Sequence, residues 1–253
     1  MSGDQPFPGS RPGAAGDLLR RAQDRVKGSV PDVLSLYNSA PAAVKAHVWG
    51  RWATCPFRRV EAAVPARGRI LEVGCGYGLF SCHLALSSRD RQVMGVDVDV
   101  RKIVHAQFAA KRAAARGATC EFQLSPPGEV PDGPWDAIVI VDVLYLLDPD
   151  EQAGLLHTCA EQLSLGGVLV VKEMATSPGW KARWNSWQET MSVKVLNITA
   201  GEELTFLEPS VLGAWMREDG LVVSHQPLDH GYPHPHHLIV GSRRRSVAGL
   251  DAD

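Results

Sequence analysis

A glycine-rich turn between an apolar strand and a helix constrains this chain more than any other feature. Residues 69–73 predict a strand and residues 79–88 predict a helix. Three alternating glycines, Gly74, Gly76 and Gly78, connect them. Glycine lets the backbone turn sharply and approach a ligand with no Cβ in the way. The segment therefore predicts a strand–turn–helix unit that holds a small molecule near the start of the helix.

Strands and helices alternate after this turn. Further strands are predicted at residues 92–97, 118–124, 137–142 and 168–173, with helices at 100–116, 151–163 and 209–218. Gly166 and Gly167 separate the second of these helices from the strand that follows. Two final strands, 221–226 and 238–242, are joined by a loop too short for a crossover helix, so they should be antiparallel. The pattern predicts an α/β fold with a mostly parallel sheet covered on both faces.

The organisation of the chain follows from its composition and from its prolines. We expect a disordered N-terminus at residues 1–16, an N-terminal helical cap at 17–66 and a main domain at 67–242. Residues 174–208 are interpreted as an insertion after strand five, and 243–253 as a flexible C-terminal tail.

Charge and cysteine content exclude several classes of protein. The 26 basic and 28 acidic residues give no broad electrostatic footprint for nucleic acid. No apolar run approaches the roughly 18 residues that a membrane span needs, and no secretory signal is visible. Five cysteines without a C-x-x-C pair favour neither a disulfide framework nor a zinc site. We therefore expect a cytoplasmic protein without an integral membrane segment or a metal.

Four segments, in order over residues 66–173, together resemble class I S-adenosylmethionine-dependent methyltransferases. Residues 72–78 are similar to the E/D-x-G-x-G-x-G motif, and residues 95–97 end the second strand with an acid. Residues 135–145 resemble the fourth-strand motif, and residues 163–170 resemble L-x-P-G-G-x-L. The resemblance implies a Rossmann-like, doubly wound sheet of seven strands with the last strand antiparallel.

The resemblance also implies that S-adenosylmethionine lies across the carboxyl ends of the first strands. In that arrangement Glu72 orients the loop and Asp97 accepts hydrogen bonds from both ribose hydroxyls. Val98 packs on adenine, and Asp142 lies beside the methionine end. No acid follows strand three, so the backbone at Leu124 is one candidate for the adenine contact, with the side chains of the residues beside it as alternatives. The residues expected to bind the cofactor are Glu72, Gly74, Gly76, Gly78, Asp97, Val98, Leu124 and Asp142.

Candidates for the acceptor side come from the carboxyl ends of strands four to six. If the acceptor is a hydroxyl, a base helps to remove its proton. Tyr145 follows strand four and Glu173 ends strand five. His230 and His234 belong to a histidine-rich loop that should open on the cofactor side of the sheet. We expect these four residues to form the catalytic set.

Three tryptophans in the predicted insertion are spaced to share one helix face. Trp180, Trp184 and Trp187 stand at i, i+4 and i+7. One interpretation is a substrate lid that closes the acceptor pocket together with helices around residues 48–52. The alternative is that this stripe is ordinary core.

These observations predict methyl transfer to a small acceptor, apolar or aromatic and of the lipid or natural-product type, at oxygen. Methylation of nitrogen or carbon is the first alternative. A nucleotide-cofactor oxidoreductase is disfavoured, because Leu79 occupies the place of the third glycine of G-x-G-x-x-G. A non-catalytic cofactor-binding protein is the remaining alternative. Beyond the acceptor, peripheral contact with lipid is a possible partnership, and the oligomeric state is not predicted.

Overall fold

The computed structural model of the chain describes residues 32–174, 204–228, 230 and 235–245. Seven strands in these ranges form one sheet in the order β3-β2-β1-β4-β5-β7-β6. β7 is antiparallel to both of its neighbours, and the other neighbouring strands are parallel. The strands are β1 (Gly68–Val73), β2 (Arg91–Asp97), β3 (Thr119–Leu124), β4 (Trp135–Val141), β5 (Leu163–Met174), β6 (Val222–Pro227) and β7 (His236–Ser242). The predicted fold class is confirmed.

Helices cover both faces of the sheet, because the strands alternate their side chains between two cores. Ile70 in β1 joins a core with the N-terminal helices, whereas its neighbour Leu71 joins a second core on the other face. The helices are α1 (Ala42–Thr54), α2 (Phe57–Glu61), α3 (Leu79–Ser87), α4 (Val100–Ala114), α5 (Pro149–Glu161) and α6 (Pro209–Glu218), with 3₁₀ turns at Asp32–Tyr37 and Leu144–Leu146. No helix in the described ranges is long and apolar enough to span a membrane.

The glycine pair before strand five has a different role from the predicted one. Gly166 and Gly167 lie inside β5, where the pairing with β4 changes register between Trp135 and Ala137. Gly166 has a φ of +83°, and a Cβ on Gly167 would lie 2.8 Å from the carbonyl oxygen of Trp135. These glycines mark an irregularity within a strand rather than the connection between a helix and a strand.

The described part of the predicted helical cap, residues 32–66, packs into the main core. Val33, Leu36, Val48 and Val60 are all buried in the same hydrophobic cluster as β1 and β4. Residues 1–31, and with them the predicted disordered N-terminus, lie outside the described residues. Of the predicted C-terminal tail, Arg243 is described, and its guanidinium donates to the carbonyl oxygen of Leu163 at 2.7 Å.

A buried arginine at the start of β2 joins this N-terminal segment to the sheet. Arg91 is 3% exposed, and its guanidinium contacts Glu61 Oε1 at 2.9 Å. Its other acceptors are the carbonyl oxygens of Val64, Pro65 and Leu84 and the hydroxyl of Ser87. Burial opposes ionisation of Glu61, but hydrogen bonds from His83, Ser87 and Arg91 lower the pKa of this carboxyl to about 2.

Replacing this arginine should destabilise the fold strongly. We expect Arg91→Met to lower the free energy of unfolding by about 3 kcal/mol, because a carboxylate and several carbonyl groups lose their partner. In the wild type, ionised Glu61 stabilises the fold above the ordinary pKa of a glutamate, and this stabilisation is lost as the pH falls toward 2. The variant should lose less stability over the same pH range. Urea unfolding measures both effects, with the exposed Arg89→Met as the control. Equal stability of the two variants would contradict this account of Arg91.

Candidate active site

A cavity of about 770 Å³ opens at the carboxyl ends of β1, β2 and β4. Its volume is in the upper part of the roughly 300–1,000 Å³ range of small-molecule pockets. Residues that follow β1, β2 and β4 form one wall, and side chains of α1 and α2 form another. The cavity therefore lies where open α/β sheets bind ligands.

The three glycines of the turn have different steric surroundings, although all have positive φ. A Cβ on Gly74 would lie 2.3 Å from Val143 Cγ2, and one on Gly78 would lie 2.5 Å from Phe122 Cζ. A Cβ on Gly76, with a φ of +55°, would have no atom within 4 Å. Gly76 is therefore the glycine whose missing side chain leaves space in the cavity, whereas the other two allow the turn to pack closely.

Asp97 is held at the end of β2 by two backbone amides. Its Oδ2 accepts a hydrogen bond from the amide of Gly76 at 2.7 Å, and its Oδ1 accepts one from the amide of Asp99 at 2.9 Å. Asp99 in turn caps α4 by accepting from the amide of Arg101. Each oxygen of a carboxylate accepts about two hydrogen bonds. Asp97 lies on the cavity wall, and its carboxylate can therefore accept two further hydrogen bonds from a ligand there.

Glu72 lies beneath the turn and is 3% exposed. Its Oε2 accepts a hydrogen bond from the hydroxyl of Ser81. Burial raises the pKa of this carboxyl to about 8 in spite of that bond. Glu72 is on the cavity wall, and its carboxyl is mostly protonated at neutral pH in this environment.

The two apolar residues predicted near adenine differ in their position. Val98 lies on the cavity wall and is 61% exposed. Leu124 is 55% exposed, and the residue on the wall is its neighbour Ser125, which is buried. The Ser125 hydroxyl donates to the carbonyl oxygen of Glu129 at 3.1 Å. At this end the wall thus includes Ser125, one of the alternatives considered for the adenine contact, and does not include Leu124.

A buried ion cluster centred on Asp142 forms the opposite end of the cavity. The Asp142 carboxylate contacts Arg51 Nη1 at 2.7 Å and Lys172 Nζ at 2.5 Å. Burial opposes its ionisation, but Lys172 and Arg51 outweigh that cost and lower the pKa of Asp142. Asp142 itself has a φ of +57°, in the left-handed region. The cluster connects α1 to the ends of β4 and β5.

Glu173, predicted as catalytic, supports the backbone beside this cluster. Its Oε1 accepts from the amides of Val143 at 3.0 Å and Leu144 at 2.9 Å. Burial, with a contribution from Asp142, raises the pKa of Glu173 to about 8. The side chain is 5% exposed and is not among the residues of the cavity wall. These contacts hold the turn after β4 in place.

Tyr145 is the predicted catalytic residue that the structure places on the cavity wall. Its ring stacks on Phe206, with ring centres 5.0 Å apart. Burial raises the pKa of its hydroxyl well above the ordinary value. The carbonyl oxygen of Tyr145 accepts from the amide of Thr205 at 2.9 Å, and Thr205 also lines the cavity. The last residues of the predicted insertion therefore reach the site.

Of the remaining predicted acceptor-side residues, the structure describes His230. His230 is exposed and is not on the cavity wall, and its carbonyl oxygen accepts from Arg59 Nη2 at 2.8 Å. The other four, His234, Trp180, Trp184 and Trp187, lie outside the described residues, and so does most of the predicted lid. Across residues 32–174, 204–228, 230 and 235–245, no three His, Cys, Asp or Glu side chains cluster as metal ligands.

His47 and Arg51 of α1 line the cavity. The sequence predicts the helices around residues 48–52 at the acceptor pocket, but it does not single out either side chain. They are one helical turn apart, and this i, i+4 spacing was the available signal. The ring of His47 packs edge-on against Tyr77 at 5.0 Å. Its Nδ1 is buried and has no hydrogen-bond partner among the described residues. Burial, with Arg51 and Lys102 nearby, lowers the pKa of His47 to about 4, so its imidazole is neutral at pH 7.

Comparison with known proteins identifies this architecture. Residues 50–226, more than half of the chain, match the family described as "Methyltransferase domain". The chain is 25% identical over 159 residues to a ubiquinone biosynthesis O-methyltransferase of Leptothrix cholodnii, covering 62% of this chain and 65% of that protein. It is 25% identical over 171 residues to the protein of the same name from Alkalilimnicola ehrlichii, covering 65% and 67%. The chain thus spans about two thirds of the length of these relatives.

Solved structures show the same fold at low identity. An O-methyltransferase family protein from Burkholderia thailandensis superposes with a TM-score of 0.63 at 16% identity, covering 91% of this chain and 69% of that one. Magnesium protoporphyrin IX methyltransferase from Synechocystis PCC 6803 with bound SAH gives a TM-score of 0.55 at 16% identity, covering 90% and 93%. Together with the family match, these likenesses show that the chain belongs to the methyltransferase domain family, as a class I enzyme that uses S-adenosylmethionine.

Proposed function

We propose that this enzyme methylates a hydroxyl oxygen on a small, apolar or aromatic acceptor. The observation that carries the proposal is that the 770 Å³ cavity has two walls of different chemistry. The wall after β1 and β2 carries the glycine turn and Asp97. The wall from α1 and α2 carries His47 and Phe57. One wall suits the cofactor, and the other suits an acceptor with an apolar body and a polar group.

The residues of the first wall fit S-adenosylmethionine. Open space at Gly76 admits a ligand against the backbone, and the free acceptor capacity of Asp97 suits a vicinal diol such as a ribose. Val98 and Ser125 are placed to border an adenine ring. When bound, the cofactor supplies a methyl group already activated on a sulfonium, so the protein mainly has to position the acceptor and exclude water.

The residues of the second wall are suited to a neutral hydroxyl. Phe57 stacks on Phe80 at 5.0 Å, which gives this side an aromatic surface. The neutral imidazole of His47 can accept a hydrogen bond from an acceptor hydroxyl and orient its oxygen. Tyr145 borders the same space with a hydroxyl that stays protonated. The relatives named as ubiquinone biosynthesis O-methyltransferases support oxygen as the methylated atom.

Product analysis tests the acceptor class directly. The protein is incubated with methyl-labelled S-adenosylmethionine and catechol, or catechols with alkyl chains of increasing length. We expect labelled methyl ethers, formed more efficiently as the chain lengthens, because the second wall removes apolar surface from water. Label found instead on an amine or a carbon of metabolites from a cell extract, with none on the catechols, would overturn the proposal.

Asp97→Ala should weaken binding of S-adenosylmethionine and of S-adenosylhomocysteine by about tenfold to a hundredfold. Hydroxyl donors left without an acceptor cost about 1–3 kcal/mol. Isothermal titration calorimetry gives the two affinities. Asp99→Ala is the matched control, since it removes a nearby carboxylate and a helix cap at a cost of about 1 kcal/mol in stability. Asp97 has no part in binding if both variants bind equally well.

Gly76→Ala should reduce cofactor affinity more than it reduces stability. The added methyl enters open cavity space, and a positive φ costs a non-glycine residue about 1–2 kcal/mol. Gly220 provides a control for the backbone cost alone, because it has a φ of +80°, a Cβ there would have no atom within 4 Å, and it is not on the cavity wall. Thermal melts of Gly76→Ala and Gly220→Ala should agree, while only the first variant loses affinity. Equal affinity in both would contradict the assignment of Gly76 to the cofactor.

His47→Phe should lower kcat/KM for the acceptor by about tenfold, because the hydrogen bond between His47 and the acceptor hydroxyl is lost. Affinity for S-adenosylhomocysteine should stay unchanged. His47→Gln keeps an acceptor atom and should recover part of the loss, and Trp49→Phe is a control at an exposed position of the same helix. Because the pKa of His47 is about 4, no rate change near pH 6.5 should belong to this residue. Identical acceptor kinetics in His47→Phe and the wild type would remove His47 from the site.

A further inference from the structure

Helix α4 (Val100–Ala114) presents a stripe of exposed apolar side chains. Val100 is 56% exposed, Val104 is 44% exposed and Phe108 is 58% exposed. They stand at i, i+4 and i+8, so they share one side of the helix. The opposite side of α4 is buried against the sheet through Ile103 and three alanines. The stripe is therefore a solvent-facing surface, not part of the packing of the helix.

This stripe is part of a larger concentration of exposed apolar surface. Among the described residues, ten large hydrophobic side chains are exposed, and five of them are the three stripe residues with Val98 and Leu124. Leu124 pairs in register with Asp97, so it lies beside Val98 at the ends of β2 and β3. Single exposed apolar residues are ordinary, whereas a group of this kind marks an interaction surface.

The charges around the stripe are mostly positive. Residues 98–118 contain five basic residues and one acidic residue, for a net charge of +4 in a chain whose net charge is −2. The one acid, Asp99, pairs with Arg101 at 3.3 Å. Lys111 is exposed, and its Nζ lies 5.5 Å from the ring centre of Phe108. The remaining basic residues are Lys102, Arg112 and Arg116.

Two of these basic residues also contact the N-terminal 3₁₀ turn. Arg112 donates to the carbonyl oxygen of Leu36, and Arg116 lies 3.8 Å from Asp32. Both remain at the surface, and Asp32 is the acid that faces this end of the helix. Within the described ranges, the acids that pair with these cations are Asp99 and Asp32, one near each end of the stripe.

We propose that the stripe of Val100, Val104 and Phe108 docks this enzyme on an anionic lipid bilayer. A helix with an exposed apolar side flanked by lysine and arginine is the arrangement that binds in the interface of anionic membranes. Two of the three stripe residues are valines, which favour acyl chains over a nucleic acid because binding to nucleic acid requires polar and stacking contacts. Charge complementarity selects anionic over neutral lipid.

The stripe lies next to the cavity. Val98 and Lys102 belong to the cavity wall, and Val98 is at the same time mostly exposed. The cavity therefore reaches the surface next to the first turn of α4. A bilayer bound along the stripe would lie beside this opening, at the end of the cavity that the proposed function assigns to adenine.

Vesicle flotation with the full chain tests the proposal. The lipids are phosphatidylcholine alone and phosphatidylcholine mixed with phosphatidylglycerol. We expect binding to the mixed vesicles and little binding to the neutral ones. Phe108→Gln should reduce the partition coefficient about tenfold, because a large apolar side chain no longer enters the interface. Lys111→Gln should reduce it about fivefold at low salt, with a smaller effect at high salt.

Matched controls lie at the other end of the sheet, on α6. Val211 is an exposed apolar residue there and Arg217 an exposed cation. Val211→Gln and Arg217→Gln should bind vesicles like the wild type, and thermal melts should show that all four variants are folded. The proposal is overturned if the chain ignores anionic vesicles, or if the α4 and α6 variants bind equally. It is also overturned if Phe108→Gln changes only the oligomeric state or only the binding of RNA.

Discussion

The carboxylate of Asp142 is the contact on which the active-site architecture depends. It lies at the end of β4 and holds two cations, the half-buried Arg51 from α1 and the buried Lys172 from β5. An ion pair of this kind is costly to bury, but removal of one member leaves uncompensated charge. The cluster therefore fixes α1 against the ends of the central strands. Without that attachment the cavity would lack the wall that carries His47.

Burial keeps three titratable groups at or beside the cavity mostly neutral at physiological pH. It raises the pKa of both Glu72 and Glu173 to about 8 and lowers that of His47 to about 4. Asp97 and Asp142 are instead held by hydrogen bonds or by opposite charges. Fixed contacts of this kind suit transfer from a cationic donor, because the strongest electrostatic contacts are those already built into the site.

Local patterns in the sequence predicted the sheet and the cofactor side, since these depend on residues close together in the chain. The glycine turn and Asp97 end adjacent strands, and parallel strands bring their carboxyl ends to one edge. The acceptor side depends on contacts between distant segments. His47 reaches the cavity because Arg51 of the same helix contacts Asp142. The sequence of α1 does not reveal that contact. Loop position alone likewise did not determine where the side chain of His230 would lie. Glu173 is of a residue type common among catalytic acids, but its Oε1 accepts hydrogen bonds from two backbone amides after β4.

The ring of Phe122 fills the space that two glycines leave open. A Cβ on Gly78 would lie 2.5 Å from its Cζ, and one on Gly95 would lie 2.6 Å from its Cε1. The turn after β1 and the middle of β2 therefore approach each other across a single aromatic side chain from β3. These three positions therefore form one steric unit, although they lie far apart in the chain. A side chain could be introduced at either glycine only after residue 122 had become smaller. Glycine at the third position of the turn therefore depends on the size of a residue on a different strand.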